Sequence, residues 1–90
     1  MSQAAITIYT TRTCPFCHRA KALLREKNAH YDEIDVGADP QIRARMTQRA
    51  NGRRTVPQIF IGDRHVGGCD DLFDLERQGK LDGLLAGAGA

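Results

Sequence analysis

The chain has 90 residues, of which 41% are hydrophobic and 27% are charged, and its 13 basic and 11 acidic side chains give a formal net charge of +2. This length suits one domain over residues 1–90 and excludes two. So mild a charge is not that of a general nucleic-acid binder. Purely apolar runs, such as Ile59 to Ile61, are at most three residues long, which excludes the roughly 20-residue helix that spans a membrane.

The cysteines and the first residues predict the compartment. Three cysteines are an odd number, which argues against a secreted disulfide scaffold and for a reducing environment. Residues 1–10 contain no basic start followed by an apolar stretch, so we expect no secretory signal peptide. We therefore predict a cytoplasmic protein with neither a nucleic-acid nor a membrane partner.

The first part of the chain reads as a strand, a helix and a second strand. Residues 4–9 are rich in β-branched side chains and predict the first strand. Apolar positions at helical spacing predict a helix over residues 15–28, with Pro15 in its first turn. Residues 30–36 predict the second strand, which should run parallel to the first because a helix joins the two.

The second part predicts a helix, a hairpin and a last helix. The helix runs from Pro40 to the stop at Asn51-Gly52. Strands are predicted at residues 58–61 and 64–67, and Gly62-Asp63 between them signals an antiparallel hairpin. A short helix over residues 70–77 follows, then an amphipathic turn or two around residues 81–85. The order β-α-β-α-β-β-α predicts an α/β fold, and residues 86–90 are expected to be a frayed tail.

Cys14 and Cys17 form a C-x-x-C pair at the start of the first helix, a spacing typical of redox sites. The free N–H groups and the dipole of a helix N-terminus favour an anion, so we expect Cys14 to be held as a thiolate. Cys17 lies on the same face of the first turn, within reach for a disulfide and more buried. Arg12 and His18 add basic or ionisable groups nearby. The pair therefore offers an attacking thiolate and a resolving thiol.

Three other interpretations fit these cysteines less well. A structural zinc site needs a second Cys/His pair at ligand spacing, but Cys69, His30 and His65 are scattered, so no metal site is expected. The segment Cys14–His18 matches the C-x-x-C-H haem motif, but haem attachment usually implies export. Two cysteines at this spacing around Pro-Phe are not typical of small core residues.

Three motifs follow one another along this pattern: Cys14-Pro15-Phe16-Cys17, Thr55-Val56-Pro57 and Gly67-Gly68-Cys69-Asp70-Asp71. With these motifs the chain, from about Ala5 to Leu85, resembles a glutaredoxin of the dithiol class, within the thioredoxin superfamily. The resemblance implies a thioredoxin-like fold, with a four-stranded mixed sheet flanked by helices.

In such proteins the second motif faces the active cysteines, with a cis peptide bond before the proline. The resemblance implies that Thr55, Val56 and Pro57 bind glutathione. The Val56 backbone would present its N–H and C=O groups to an extended peptide, as in strand addition. The residues alone allow a plainer interpretation, in which Pro57 merely starts a strand.

Gly68, Cys69 and Asp70 resemble the family's site for the γ-glutamyl end of glutathione. A helix N-terminus suits a carboxylate, Asp70 would hold the ammonium group, and Gly68 would let the ligand approach the backbone. The plainer interpretation is capping of a short helix by Asp70 or Asp71. Cys69 has no C-x-x-C partner and is expected to pack or to bind through its backbone.

The chain also departs from the family's pattern. Phe16 stands where many glutaredoxins have tyrosine, and it keeps the apolar contact with glutathione. Thr11 stands where the family commonly has a lysine, and Arg12 beside it would supply the charge. One residue of the pair Arg53–Arg54 would meet the glycine carboxylate of glutathione, with Gln58 as a weaker candidate.

The resemblance implies a thiol–disulfide oxidoreductase that uses glutathione as reductant and co-substrate, with no permanently bound cofactor. Cys14 is the implied nucleophile, and Cys17 resolves protein disulfides. The implied partners are glutathione and glutathionylated or disulfide-containing proteins. Glutathione reductase is an indirect partner through the glutathione pool, and we expect a monomer. Two alternatives stay open: a thioredoxin-like reductant served by a flavoprotein, and an iron–sulfur cluster carrier in which two copies share a cluster through Cys14 and two glutathiones.

Overall fold

Eight elements form the computed structural model, which describes residues 4–87. The strands are β1 (Ile6–Thr10), β2 (Asp32–Asp35), β3 (Gln58–Ile61) and β4 (Arg64–Gly67). The helices are α1 (Pro15–Glu26), α2 (Pro40–Arg49), α3 (Cys69–Arg77) and α4 (Leu81–Leu85).

The four strands form one mixed sheet in the order β2-β1-β3-β4. β1 runs parallel to β2 and antiparallel to β3, and β3 runs antiparallel to β4. The predicted element order, the parallel first pair and the antiparallel hairpin are confirmed. β1 and β3 are the inner strands, and all four residues of β3 are buried because both faces of the sheet are covered.

Two apolar cores lie on opposite faces of the sheet, because successive side chains of a strand point to opposite sides. Ile59 and Ile61 pack with buried residues of α1, α3 and α4. Phe60, between them, packs with Tyr9 of β1 and Met46 of α2. The sheet is therefore the middle layer, and α1 is held against it so that its N-terminus lies at the edge where β1 ends.

Some element ends differ from the sequence prediction for identifiable reasons. β1 continues to Thr10, which pairs with Asp35 in the parallel ladder, and β2 is confined to the residues that pair with β1. α1 ends before Asn28, whose φ of 55° cannot continue a right-handed helix. α3 begins at Cys69 rather than Asp70 because Gly68 takes the N-cap position.

The last helical turn includes the start of the predicted tail. Ala86 and Gly87 donate backbone hydrogen bonds to the carbonyls of Asp82 and Leu84, and residues 88–90 lie outside the described part of the chain. Over residues 4–87, every helix is too short or too polar to cross a membrane.

Candidate active site

Cys14 caps the N-terminus of α1. Its backbone is extended, with φ −89° and ψ 110°, and Pro15 begins the helix, where proline has no hydrogen bond to lose. The Cys14 sulfur accepts a hydrogen bond from the N–H group of Cys17 over 3.2 Å. The same N–H group can donate to the thiolate, the form in which a cysteine is a nucleophile.

Cys17 differs from Cys14 in its surroundings. Its side chain is fully buried, whereas Cys14 is partly exposed. Burial and a hydrogen bond with Cys14 raise the pKa of the Cys17 thiol to about 12. Cys17 is therefore a buried, protonated thiol at neutral pH. The expectation that it is the more buried of the two cysteines is confirmed.

The loop before β3 lies against Cys14. The Cys14 thiol donates to the carbonyl oxygen of Val56 over 3.6 Å. The Val56–Pro57 peptide bond is cis, as the resemblance implied, and Pro57 is buried. The backbone of Val56 thus borders the sulfur of the accessible cysteine.

A buried amide supports this loop from below. Gln58 is 0% exposed, and its Nε2 donates to the carbonyl and hydroxyl oxygens of Thr55 over 3.0 and 3.2 Å. On its other side, Oε1 of Gln58 lies 2.7 Å from Nε2 of His65, whose ring stacks on Phe60. Gln58 therefore satisfies its own polar atoms by fixing Thr55, which directly precedes the loop residue that contacts Cys14.

A cleft of about 160 Å³ extends from Phe16 and the Thr55–Pro57 loop to the start of α3. Phe16 is 54% exposed and stands at its edge. The lining residues are Phe16, Arg53, Thr55, Val56, Pro57, Gly68, Cys69, Asp70 and Asp71. The structure thus brings together the glutathione-binding residues proposed from the sequence except Arg12, Arg54 and the buried Gln58.

Asp71 caps α3 and forms part of the cleft wall. Its carboxylate accepts hydrogen bonds from the N–H group of Gly68 over 2.8 Å and from Arg53 over 3.1 Å. Burial raises the pKa of the Asp71 carboxyl, but the two hydrogen bonds and the charges of Arg53 and His65 together outweigh it and hold the pKa below its usual value. The capping interpretation therefore applies to Asp71.

Cys69 and Asp70 form the first turn of α3 with different exposure. Cys69 is 5% exposed, and burial raises the pKa of its thiol, so its side chain packs in the core while its backbone borders the cleft. Asp70 is exposed. The first N–H groups of a helix have no partner within the helix, so this turn offers donors with a carboxylate beside them.

The basic residues proposed from the sequence lie in three places. Arg12 is outside the cleft, with its side chain 93% exposed and its Nε 3.9 Å from Oδ2 of Asp35. Arg54 lines a separate hollow beside α2. Arg53 lines the cleft at its Gly67–Gly68 end, where a Cβ on Gly68 would lie 3.6 Å from the guanidinium.

The pairing of Arg53 with Asp71 was not found by sequence reasoning. The two residues are 18 positions apart, and each had a local interpretation of its own. The available signal was the position of Asp71 three residues after the N-cap, which favours a carboxylate that bonds back to the N-cap N–H group.

Among residues 4–87, no group of three or more His, Cys, Asp or Glu residues is placed to hold a metal ion.

The glutaredoxin family model matches residues 6–66. The chain belongs to the glutaredoxin family. A probable glutaredoxin of Synechocystis is 54% identical over 82 residues, which are 91% of this chain and 93% of the relative. A glutaredoxin from Brucella melitensis is 56% identical with a TM-score of 0.86, covering 100% of this chain and 96% of that one. A buckwheat glutaredoxin–glutathione complex has the same TM-score at 34% identity, covering 97% and 81%.

These matches confirm that this glutaredoxin has the thioredoxin-superfamily fold predicted from its motifs. Glutaredoxins are thiol–disulfide oxidoreductases, and Cys14 and Cys17 are in contact at the start of α1. The two cysteines therefore lie close enough together to act as a redox pair.

Proposed function

We propose that this glutaredoxin is a glutathione-dependent oxidoreductase that reduces glutathione mixed disulfides and protein disulfides. The observation that carries the proposal is the Cys14 sulfur, which lies 3.6 Å from the Val56 carbonyl beside a cleft that continues to the N-terminus of α3. Glutathione has its thiol in the middle and a carboxylate at each end, which suits this arrangement. The buckwheat glutaredoxin that shares the fold was solved as a glutathione complex.

The cleft accommodates the γ-glutamyl half of glutathione in this proposal. The cysteinyl unit pairs with the backbone N–H and C=O groups of Val56, as an added strand would. The γ-glutamyl carboxylate accepts from the N–H groups of Cys69 and Asp70 at the start of α3. The Asp70 carboxylate holds the ammonium group, and Gly68 leaves the backbone open to the ligand.

Thr55, Pro57 and two other side chains complete the binding site. Pro57 is buried and Thr55 is fixed by Gln58, so the Val56 backbone is presented in one position. Phe16 covers the ligand's apolar surface. Arg12 has an exposed guanidinium and supplies positive charge upstream of Cys14, where the family commonly has lysine.

In the one-thiol route, the Cys14 thiolate attacks the glutathione sulfur of a glutathionylated protein. The S–S bond breaks, and the protein thiolate leaves with the electron pair and takes up a proton. A second glutathione thiolate then attacks the glutathione bound to Cys14, which releases Cys14 as a thiolate and glutathione disulfide as the product. The protein substrate is reduced, and glutathione is oxidised.

In the two-thiol route, Cys14 attacks a protein disulfide and forms a mixed disulfide with the protein. Cys17 attacks the Cys14 sulfur, the protein thiolate leaves, and a Cys14–Cys17 disulfide forms. Two glutathiones reduce that disulfide in turn. This route needs both cysteines, whereas the first route needs Cys14 alone.

The test is glutathione-dependent reduction of a glutathionylated protein, with glutathione reductase regenerating the reductant. Cys14→Ser should abolish turnover, whereas Cys17→Ser should retain turnover of the glutathionylated protein and lose reduction of a protein disulfide. Asp70→Asn should raise the KM for glutathione and leave kcat nearly unchanged, because it removes the partner of the ammonium group.

Other outcomes would overturn the proposal. A native chain that is inactive with glutathione but active with a flavoprotein thioredoxin reductase would be a thioredoxin-like reductant. A freshly purified brown dimer without turnover would be a cluster carrier. The proposed partners of this glutaredoxin are glutathione and the oxidised proteins that the glutaredoxin reduces. We propose that it acts as a monomer in the cytoplasm, where the glutathione pool keeps the Cys14–Cys17 pair reduced.

A further inference from the structure

A fixed ammonium group lies one helical turn from Cys17. Lys21 follows Cys17 by four residues on α1, so the two side chains project from the same face of the helix. The Lys21 side chain is only 12% exposed, and its Nζ donates to Oε2 of Glu33 on β2 over 2.9 Å. Oε2 of Glu33 also accepts from the buried hydroxyl of Thr10 over 2.7 Å. Thr10 and Glu33 thus fix the end of a lysine that projects from the same face of α1 as the resolving cysteine.

The charges around Cys17 act in opposite directions. Burial is the strongest influence and raises the pKa of Cys17, as does the neighbouring Cys14, whereas the Thr11 backbone and the charge of Lys21 lower it. Hydrogen bonds from Lys21 and Thr10 hold the pKa of Glu33 below its usual value, so Glu33 stays ionised and keeps Lys21 in place. Lys21 is therefore a cation that opposes the cost of ionising a buried thiol.

We propose that Lys21 is a positioning residue for the resolving step, in which its ammonium group favours the thiolate of Cys17. In that step the Cys17 sulfur bonds to the Cys14 sulfur, the substrate thiolate leaves with the electron pair, and the Cys17 proton passes to solvent. The substrate disulfide is the oxidant, so no further co-reactant is needed. This role rests on the proposed two-thiol route, since the one-thiol route does not use Cys17.

The expected slowing of Cys17 attack is smaller than the fall in its thiolate fraction alone would give. Raising the pKa of a thiol by about one lowers its thiolate fraction about tenfold at neutral pH, but it also makes the thiolate roughly threefold more nucleophilic. Loss of the Lys21 charge should therefore slow attack by Cys17 about threefold for each tenfold loss of thiolate.

The experiment follows one turnover of Cys17 without glutathione. Cys14 is converted to its mixed disulfide with thionitrobenzoate, and attack by Cys17 releases the coloured thiol at a rate that is independent of protein concentration. Lys21→Met should slow release by up to about threefold, and Lys21→Arg should stay close to the native rate. Lys27→Met is the matched control, because Lys27 also forms ion pairs, with Glu76 and Asp82, but caps the far end of α1, about 15 Å from Cys17 along the helix axis.

A second rate separates this role from a structural one. Cys14 caps α1, so loosening of the helix start would also change the bimolecular attack of Cys14 on dithiobisnitrobenzoate. The proposal expects that rate to be unchanged in every variant. Lys21→Gln, which keeps a donor to Glu33, gives the same expectation if Lys21→Met does not fold.

The role of Lys21 would be overturned if both Lys21→Met and Lys21→Gln released thionitrobenzoate at the native rate. It would also be overturned if the attack of Cys14 on dithiobisnitrobenzoate slowed as much as the release. Glutathione is absent from this assay, so its outcome is independent of glutathione binding. A chain that fails the turnover test but shows the Lys21 effect would refute only the proposed function.

Discussion

Gln58 holds Thr55 by two hydrogen bonds from one amide nitrogen, to the main-chain carbonyl over 3.0 Å and to the hydroxyl over 3.2 Å. The same amide accepts from His65 through its oxygen. Thr55 precedes the backbone that contacts the Cys14 sulfur, so a residue with no access to solvent positions one wall of the active site. Buried polar groups arranged in this way stabilise a single loop conformation, because any other leaves them unpaired.

Replacement of Gln58 by methionine should therefore weaken both the fold and the site. The substitution keeps the side-chain volume but removes the hydrogen bonds of Gln58 to Thr55 and His65, at a cost of about 1 kcal/mol of unfolding free energy. We also expect a higher KM for glutathione, because the Val56 backbone is less firmly held. Urea unfolding and steady-state kinetics measure the two effects.

Gln48→Met is the control, since Gln48 is exposed on α2. Its unfolding midpoint should match that of the native chain. A Gln58→Met variant that unfolds at the native urea concentration would show that this amide contributes nothing to the loop.

Gly67 should tolerate alanine less well than Gly79, although both have positive φ, at 114° and 72°. A Cβ on Gly67 would lie 2.7 Å from the Arg53 guanidinium and still closer to the Asp71 carboxylate, whereas a Cβ on Gly79 would meet nothing within 4 Å. Gly79→Ala should cost about 1 kcal/mol for the left-handed backbone alone. Gly67→Ala adds the displacement of the Arg53–Asp71 pair.

Urea unfolding of the two alanine variants compares a site that is both strained and crowded with one that is strained alone. Gly67→Ala should unfold at the lower urea concentration and bind glutathione more weakly, because the pair it displaces lines the cleft. Equal midpoints for the two variants would mean that the Arg53–Asp71 pair moves aside without loss.

Local sequence signals were sufficient for the fold. Signals that act within a few residues mark the boundaries of several elements, namely Pro15 after a short polar loop, Pro40 after a turn and Gly62-Asp63 between two apolar runs. The elements that they delimit were therefore predicted closely. The same holds for Cys14 and Cys17, whose contact spans one helical turn. Family resemblance supplied the distant partners of this pair, namely the Val56 loop and the start of α3.

Pairings between distant side chains were beyond the reach of local patterns. Arg53 joins Asp71 across 18 positions, and Lys21 joins Glu33 across 12. In each case both residues are charged, and a charged residue in the sequence carries no signal of which distant residue it pairs with. Their contact depends on how α1, β2 and α3 lie on the sheet, which periodicity alone does not specify.

Asp71 should contribute stability that depends on pH. Its pKa is lower in the folded chain than its usual value, so the folded state favours the carboxylate. The contribution is therefore fully present above the unfolded pKa of about 3.9 and is lost as the pH falls through the lower folded pKa. Asp71→Ala removes the cap and should cost about 1 kcal/mol near neutral pH, whereas Asp71→Asn keeps an acceptor for Gly68 and should cost less.

Urea unfolding midpoints of the native chain and of these variants at several acidic pH values test whether the stability from Asp71 falls with the pH. The advantage of the native chain over Asp71→Asn should be constant above about pH 5 and shrink below about pH 4. An advantage that grows on acidification would contradict the assignment of the carboxylate as the stabilising form.

His65 should make the fold less stable as the pH falls from neutral. Burial lowers the pKa of His65, the charges of Arg53 and Arg49 lower it further, and Asp71 opposes them. Because the folded pKa lies below the unfolded value of about 6.5, the unfolded chain binds the proton more readily. The stability that neutral His65 contributes is full above that value and is lost as the pH falls through the folded pKa.

The His65→Phe variant removes this titration while keeping a ring to stack on Phe60. Its free energy of unfolding should change less than that of the native chain between about pH 7 and pH 5. Gln48→Met, at an exposed position of α2, is the control and should retain the native slope. If the native slope persists in His65→Phe, the proton is taken up elsewhere, and the link from His65 through Gln58 to the active-site loop does not respond to pH.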